Sequence, residues 1–175
     1  MRTTGIVRRI DELGRVVIPK EIRKTMHIKE GEELEVFVEG EDKLVLKKYS
    51  VLESFLDLSK KYTEILRKYT SCVSLICDTD KCISSGSDRE KYEGKRITKT
   101  AENFLKQRKS AILRGGDVFP IIIGAEYKEM IIAPIIAAGD IVGGIALLNK
   151  QSFGDSDNML KITEITADFF AKQIE

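Results

Sequence analysis

The pattern that most constrains the fold of this 175-residue chain lies in its first 48 residues, which predict two short β-hairpins around one short helix. A ββαββ unit of that size buries too little surface to be stable alone, unless a metal, a disulfide or a partner supports it. The segment contains no cysteine, and its one histidine, His27, is the only one in the chain. We therefore expect two copies to share one core, in which the hairpins of each chain interleave with those of the other.

Local signals place the elements of this unit. The β-branched run Arg15–Ile18 predicts a strand, and Pro19 predicts the first position of a helix over residues 19–26, because its fixed φ suits that position. His27 to Gly31 ends this helix. The remaining predictions are a strand over Gly5–Ile10, a turn over Asp11–Gly14, an alternating strand over Glu33–Glu39, a turn over Gly40–Asp42 and a partner strand over Leu44–Leu46.

Charge is segregated along the sequence although the net charge of the whole chain is only +1. The first 24 residues hold seven basic side chains, Arg2 among them, against three acidic ones, which gives +4; residues 25–50 hold four against seven, which gives −3. Such segregation concentrates positive potential on one surface, and it is surface potential that attracts a polyanion.

The predicted helix gathers basic side chains on one face. Counted from Lys20 at 100° per residue, Arg23, Lys24 and His27 lie within about 60° of it, whereas Ile22 and Met26 point the opposite way. A solvated polar face is the common meaning of such a pattern. Here the preceding hairpin brings further arginines close, and a symmetric dimer would present the patch twice, which matches two half-sites on double-stranded DNA. The predicted DNA-binding residues are Arg8, Arg9, Arg15, Lys20, Arg23 and Lys24.

A helix with a heptad seam follows the first unit. Its apolar positions are Val51, Phe55, Leu58, Tyr62, Ile65 and Tyr69, and three heptads are short for an independent coiled coil. The pattern is typical both of a core helix of the second domain and of a helix in a dimer bundle, and both roles can hold at once.

The rest of the chain predicts an antiparallel sheet flanked by helices, which makes the whole chain α+β. Gly143 and Gly144 lie inside an apolar strand and predict a bulge or a close approach of another backbone. Ser156 is predicted to cap the final helix. The predicted elements are strands over Val73–Cys77, Cys82–Ser84, Ile121–Ile123, Lys128–Ile136 and Ile141–Asn149, and helices over Arg96–Ala111 and from 156 onward.

The three cysteines, Cys72, Cys77 and Cys82, are too few for a disulfide framework and indicate a reducing compartment. A tight hairpin would place Cys77 opposite Cys82, close enough for a reversible disulfide, but buried inert thiols are the favoured interpretation. We expect no metal, no cofactor and no enzymatic activity. The charged N-terminus argues against a secretory signal, and the apolar run Met130–Gly139 is too short to span a membrane, so we expect a cytoplasmic protein.

The stretch GIVRRIDELGRVVIPKEIRKTMHIKEGEELEVFVEGEDKLVLKKY resembles the swapped-hairpin DNA-binding domain of the AbrB-like transition-state regulators, most specifically at Leu13–Pro19. The resemblance implies that two chains interleave into a β-barrel-like dimer, and that arginines on the loop and the short helix face DNA. Carried over to this chain, these are Arg8, Arg15 and Arg23, with Lys24 where the family has arginine.

The second half is similar to a GAF domain, on the segment Ala133–Ile136, the turn Gly139–Asp140 and the run from Ile141 to Lys150. The implied domains are 1–50 for DNA binding, 51–70 for a linking dimerisation helix and 71–175 for the GAF-like domain. A GAF domain can serve as a sensor of a small molecule or as a dimerisation module, and the ligand is unknown. Candidate pocket residues are Ser84, Ser85, Ser87, Asp88 and Phe119.

The combination of both domains is similar to sporulation regulators. It implies a homotetramer, control of late, forespore-stage transcription as activator or repressor, and a nucleoid-associated location in the forespore. The helix residues expected to form the oligomer are Phe55, Leu58, Tyr62, Ile65, Ile162, Ile165 and Phe169. Two alternatives stay open: an antitoxin-like interaction protein, which the folded character of residues 51–175 disfavours, and a GAF-type redox enzyme that uses Cys77 and Cys82.

Overall fold

The computed structural model describes residues 5–175, so Arg2 of the basic N-terminus lies outside the described residues. The chain divides into two compact units, the first ending at Tyr49 and the second beginning at Ser50.

The first unit contains a short helix and one β-hairpin. Helix α1 spans Lys20–Met26, strand β1 spans Leu34–Glu39 and strand β2 spans Lys43–Lys48. The two strands pair antiparallel, with Val36 opposite Leu46. This confirms the second predicted hairpin, whose turn contains Gly40 at a positive φ of 70°.

The first predicted hairpin is only partly present. Its turn closes, since the backbone N–H of Gly14 donates to the carbonyl of Asp11 at 3.0 Å, but the flanking segments, residues 5–10 and 15–18, form no strands. A strand needs a neighbour for its ladder, and Val7 and Val17 in these segments are 85% and 73% exposed. The prediction of two strands is therefore wrong for the single chain. The predicted helix start is also wrong by one residue, because Pro19 has an extended ψ of 148° and precedes the first helical residue.

The second unit is built on a five-stranded antiparallel sheet in the order β4-β3-β7-β6-β5. The strands are β3 Val73–Asp78, β4 Cys82–Ser85, β5 Ala111–Arg114, β6 Glu129–Ala137 and β7 Asp140–Asn149. The helices are α2 Val51–Ser54, α3 Leu56–Thr70, α4 Arg89–Tyr92, α5 Lys99–Leu105 and α6 Ser156–Ile174. The predicted α+β class is confirmed.

Two apolar layers sandwich this sheet. In one layer, Leu66 of α3 and Phe170 of α6 are buried together with Leu147 of β7. In the other layer, Leu105 of α5 is buried together with Leu75 of β3. None of the helices within residues 5–175 is long and apolar enough to cross a membrane.

Several predicted bounds in the second unit are wrong for identifiable reasons. The helix expected over residues 51–69 breaks at Phe55, and the helix expected over 96–111 is limited to α5. Thr98 starts α5 by accepting a hydrogen bond from the backbone N–H of Ala101, and Ala111 already belongs to β5. The strand expected over 121–123 is a single bridge between Ile97 and Ile122.

The last helix differs from the prediction in its cap, and the last strand agrees with it. Asp155, rather than Ser156, caps α6, because its carboxylate accepts from the backbone N–H of Asn158 at 3.1 Å. The predicted close approach at Gly143 is confirmed: a Cβ there would lie 2.2 Å from the carbonyl oxygen of Cys77.

Candidate nucleic-acid interface

The turn before α1 holds Arg15 in a defined position. The carboxylate of Asp11 accepts from the backbone N–H of Leu13 at 3.0 Å, from that of Arg15 at 2.8 Å, and from the guanidinium Nε of Arg15 at 2.7 Å. These bonds, the backbone N–H of Arg15 first, hold the pKa of Asp11 below its usual value. Sequence reasoning missed this positioning role of Asp11, although aspartate at the first position of a β-turn is a known signal for it.

Helix α1 carries the central basic residues. Lys20 and Lys24 are exposed, Arg23 is half-buried, and Ile22 on the opposite face lines an apolar groove. The helix ends at His27, which has a left-handed conformation with φ 56°.

The six predicted DNA-binding residues are Arg8, Arg9 and Arg15 from the segments before α1, and Lys20, Arg23 and Lys24 from α1; we call this set the basic face. Within residues 5–175, the ion pair formed by this set is that of Arg15 with Asp11. The other five cations are not neutralised by a carboxylate of the described chain, so the set can bind a polyanion.

An open apolar groove of about 330 Å³ lies next to the basic face. Nine of the ten side chains that line it are apolar, and Arg8 is the tenth. They are Ile6, Arg8, Val16, Val17, Ile18, Pro19, Ile22, Met26, Ile28 and Leu46. Sequence reasoning predicted a shared core for this unit but did not locate this groove, because its walls come from segments that are apart in sequence.

The structure does not bring all five predicted pocket residues of the second unit together at one site. The hydroxyl of Ser84 is buried 2.7 Å from that of Thr63 on α3, and the ring of Phe119 packs 5.5 Å from that of Phe104. These two contacts belong to opposite faces of the sheet. Ser85 is buried and donates to the carbonyl of Ser87, whereas Asp88 is exposed.

Cys77 and Cys82 are opposite each other on β3 and β4, as predicted, and both thiols are free and buried. The hydrogen bond between them, together with burial, raises the pKa of Cys77 well above its usual value. Burial likewise raises the pKa of Cys72. Thiols with raised pKa are poor nucleophiles, because the thiolate is the reactive form.

The predicted oligomer residues divide into two groups. Phe55, Leu58, Tyr62 and Phe169 pack against the core of the second unit, and the rings of Tyr62 and Phe169 stack at 4.7 Å. Ile65, Ile162 and Ile165 are exposed, at 49%, 36% and 68%. The exposed group is therefore available to a partner, whereas the first group already serves the fold of its own chain.

Comparison with known proteins decides the family. The sequence model described as "Stage V sporulation protein T C-terminal, transcription factor" matches residues 54–175. The chain is also 39% identical over 179 residues to stage V sporulation protein T of Bacillus subtilis (strain 168), with 100% of this chain and 99% of the relative covered. The chain belongs to the stage V sporulation protein T family. It is therefore a transcription factor, as predicted, and neither the antitoxin nor the redox interpretation is favoured.

The N-terminal segment of this family member is also similar to other proteins. The model described as "Antidote-toxin recognition MazE, bacterial antitoxin" matches residues 7–52. The transition state regulatory protein AbrB of Bacillus subtilis (strain 168) is 59% identical over 49 residues, which are 28% of this chain and 50% of that protein. The predicted resemblance of the N-terminal segment is thus confirmed.

The fold of the second half is that of a GAF domain. The cofactor-binding GAF domain of the nutrient sensor CodY from Clostridium difficile superimposes with a TM-score of 0.52 at 16% identity, covering 71% of this chain and 93% of that one. At this identity the likeness confirms the predicted fold alone.

Proposed function

We propose that the protein regulates transcription by binding double-stranded DNA as a homo-oligomer, through two or more copies of the basic face. The observation that carries this proposal is that five of the six cations of the basic face have no carboxylate partner among residues 5–175. Arg15 and Arg23 can contact base edges bidentately, whereas Lys20 and Lys24 suit phosphate as point charges.

A second copy of the chain completes the first unit in this proposal. Within residues 5–49, no large apolar side chain is fully buried, and thirteen of them are exposed. The groove beside α1 and the apolar face of the β1–β2 hairpin, with Val36 and Leu44, would be covered by the partner's equivalent segments. Two basic faces on one symmetric dimer then match two half-sites.

The second unit joins two such dimers into a tetramer. Ile65 on α3 and Ile165 on α6 are exposed apolar residues on neighbouring helices, which are linked by the stacked rings of Tyr62 and Phe169. Helix pairs of this kind can form a four-helix contact with a second copy. Linked DNA-binding dimers would gain affinity through avidity.

The biological setting proposed for this family member is the regulation of late, forespore-stage sporulation genes, as activator or repressor, on the nucleoid in the cytoplasm. The buried thiols, whose pKa is raised at Cys77 and Cys72, support a role that is not enzymatic. A small-molecule ligand of the GAF-like unit remains part of the proposal, although the candidate residues lie on both sides of the sheet.

Titration of duplex DNA binding against salt tests this function. We expect the logarithm of the binding constant of the full chain to fall with the logarithm of salt concentration by about 0.9 per phosphate neutralised. Replacement of Arg15 or Arg23 by alanine should weaken binding by roughly tenfold and reduce the slope. Lys150→Ala is the matched control, because Lys150 is an exposed cation of the second unit. Equal, weak and salt-insensitive binding by all four proteins would overturn the proposal.

A further inference from the structure

His27 occupies an unusual backbone position at the end of α1. It has φ 56° and ψ 36°, the left-handed region that favours glycine, although histidine is among the other residues that tolerate it. A backbone hydrogen bond closes this turn, because the N–H of Ile28 donates to the carbonyl of Arg23 at 2.8 Å. The position can therefore hold a side chain at a small backbone cost, and its side chain has a defined place.

The imidazole ring of His27 is held against the last turn of α1. Its Nδ1 lies 2.7 Å from the carbonyl oxygen of Lys24. Because a carbonyl oxygen only accepts, Nδ1 must carry a hydrogen and donate it. Nε2 is then the ring atom that gains or loses the titrating proton, and the exposed ring leaves it accessible.

The charges around His27 are mostly positive. Lys20, Arg23 and Lys24 share its side of α1, and the one acid of that helix, Glu21, lies about 100° away from Lys20. Among the groove-lining residues beside α1, the charged one is Arg8.

Glu30, three residues after His27, is exposed to solvent, whereas two other acids of this unit, Asp11 and Glu32, are engaged elsewhere. The carboxylate of Asp11 is bound to Arg15. The carboxylate of Glu32, in the segment after His27, binds the backbone N–H of Lys29 and the ammonium group of Lys48. Protonation of His27 thus adds a cation to a cationic surface, which a bound polyanion would compensate, while the carbonyl end of α1 favours the same charge.

We propose that His27 is a proton-linked DNA contact: its Nε2 takes up one proton when duplex DNA docks on the basic face, so that affinity rises as the pH falls from about 8 to about 6. The inference rests on the proposed DNA-binding function. Histidine changes charge between about pH 5 and pH 8, so the linkage operates near neutral pH. A DNA phosphate oxygen would accept the new N–H, and the proton is released again when the complex dissociates.

The test is duplex binding by the full chain at constant ionic strength between pH 6 and pH 8. We expect the affinity of the natural sequence to be at least about fivefold higher at pH 6, since binding is linked to proton uptake. His27→Asn introduces a residue that tolerates the left-handed conformation but cannot titrate. The DNA affinity of this variant should differ by less than about twofold between pH 6 and pH 8. His27→Arg should bind at least as tightly as the natural sequence at both pH values, with no pH dependence.

The NMR signal of the imidazole provides a second readout that does not depend on the variants. The chain has one histidine, so its ring proton signal is unambiguous. We expect its titration midpoint to move to higher pH when duplex DNA is added. An unchanged midpoint, or the same pH dependence in the natural sequence and in His27→Asn, would overturn the proposal while leaving salt-sensitive DNA binding intact. Loss of binding at every pH would instead contradict the proposed function itself.

Discussion

The two units of this chain bury apolar side chains very differently. Within the described residues, the 45 positions from Gly5 to Tyr49 contain thirteen exposed large apolar side chains, and the 126 positions from Ser50 onward contain six. The second unit has two buried layers around a five-stranded sheet, whereas Val17 and Leu44 of the first unit are mostly exposed to solvent.

This difference supports the proposal that one chain encodes a complete domain beside half of another. Apolar exposure on the scale of the first unit is typical of a surface that another chain covers. The second unit is self-sufficient because each side of its sheet is covered by helices of the same chain. Substitutions in each unit test this contrast, beginning with the largest expected effect.

A charge introduced at Val17 should disrupt the first unit. If a second copy covers this side chain, Val17→Glu buries an unpaired carboxylate, and we expect a loss of several kcal/mol of stability together with loss of DNA binding. Ile123→Glu is the matched control, since Ile123 is 88% exposed in the second unit and should tolerate the change within about 0.5 kcal/mol. Thermal unfolding measures the stability of both variants, and titration with duplex DNA measures their binding. Equal tolerance at the two positions would contradict a shared core.

A methyl group added at Gly143 should strain the second unit without touching the first. A Cβ there would lie 2.2 Å from the carbonyl oxygen of Cys77 and 2.6 Å from Leu52, so β7 would have to move. We expect Gly143→Ala to cost about 1–3 kcal/mol in chemical denaturation. Gly154→Ala, at a glycine with open space around it, should be nearly neutral. A neutral Gly143→Ala would show that the sheet is looser than described.

Ile165→Glu should separate the proposed tetramer into dimers while both units stay folded. The side chain is 68% exposed on α6, so the substitution leaves the core of its own chain unchanged. We expect the mass in solution to fall from that of a tetramer to that of a dimer, and DNA affinity to fall by roughly tenfold through lost avidity. Sedimentation equilibrium measures the mass. An unchanged mass would place the contact between dimers elsewhere.

Lowering the pH should reduce the stability of the second unit through protonation of Glu129. Its carboxylate accepts from the backbone N–H of Phe153 at 2.7 Å and from the hydroxyl of Ser152 at 2.9 Å, and these bonds hold its pKa below the usual value. Because the folded-state pKa lies below the ordinary value of 4.5, the stabilisation is fully present above about pH 4.5 and is lost as the pH falls further. In Glu129→Gln we expect a smaller drop in melting temperature between pH 7 and pH 4. The same drop in both proteins would rule out this contribution.

Much of the second unit could be predicted because its signals are local. The apolar runs Lys128–Ile136 and Ile141–Asn149 predicted two strands that the structure pairs as β6 and β7, and Gly143 was expected at a bulge or a close approach of another backbone. The strand β5 was missed because Ala111 follows directly on a helical pattern, and only its pairing opposite Ile132 of β6 makes it a strand. Tertiary contacts override local propensity at such positions.

The interface was predicted by residue type and not by geometry. The basic pattern of α1 could be recognised from helical spacing, but the bond from the ring of His27 to Lys24 depends on a left-handed residue that no periodicity indicates. The first hairpin was assigned wrongly, because a strand needs a neighbour for its ladder and the segments on either side of this turn have none among the described residues.

The most direct test of the shared core is an isotope-filtered NMR experiment on the full chain, in a mixture of labelled and unlabelled copies. We predict nuclear Overhauser effects between chains that involve the methyl groups of Val17, Leu44 and Leu46. If these methyl groups contact only their own chain and solvent, the first unit is a monomer with an exposed apolar surface, and the shared core is contradicted.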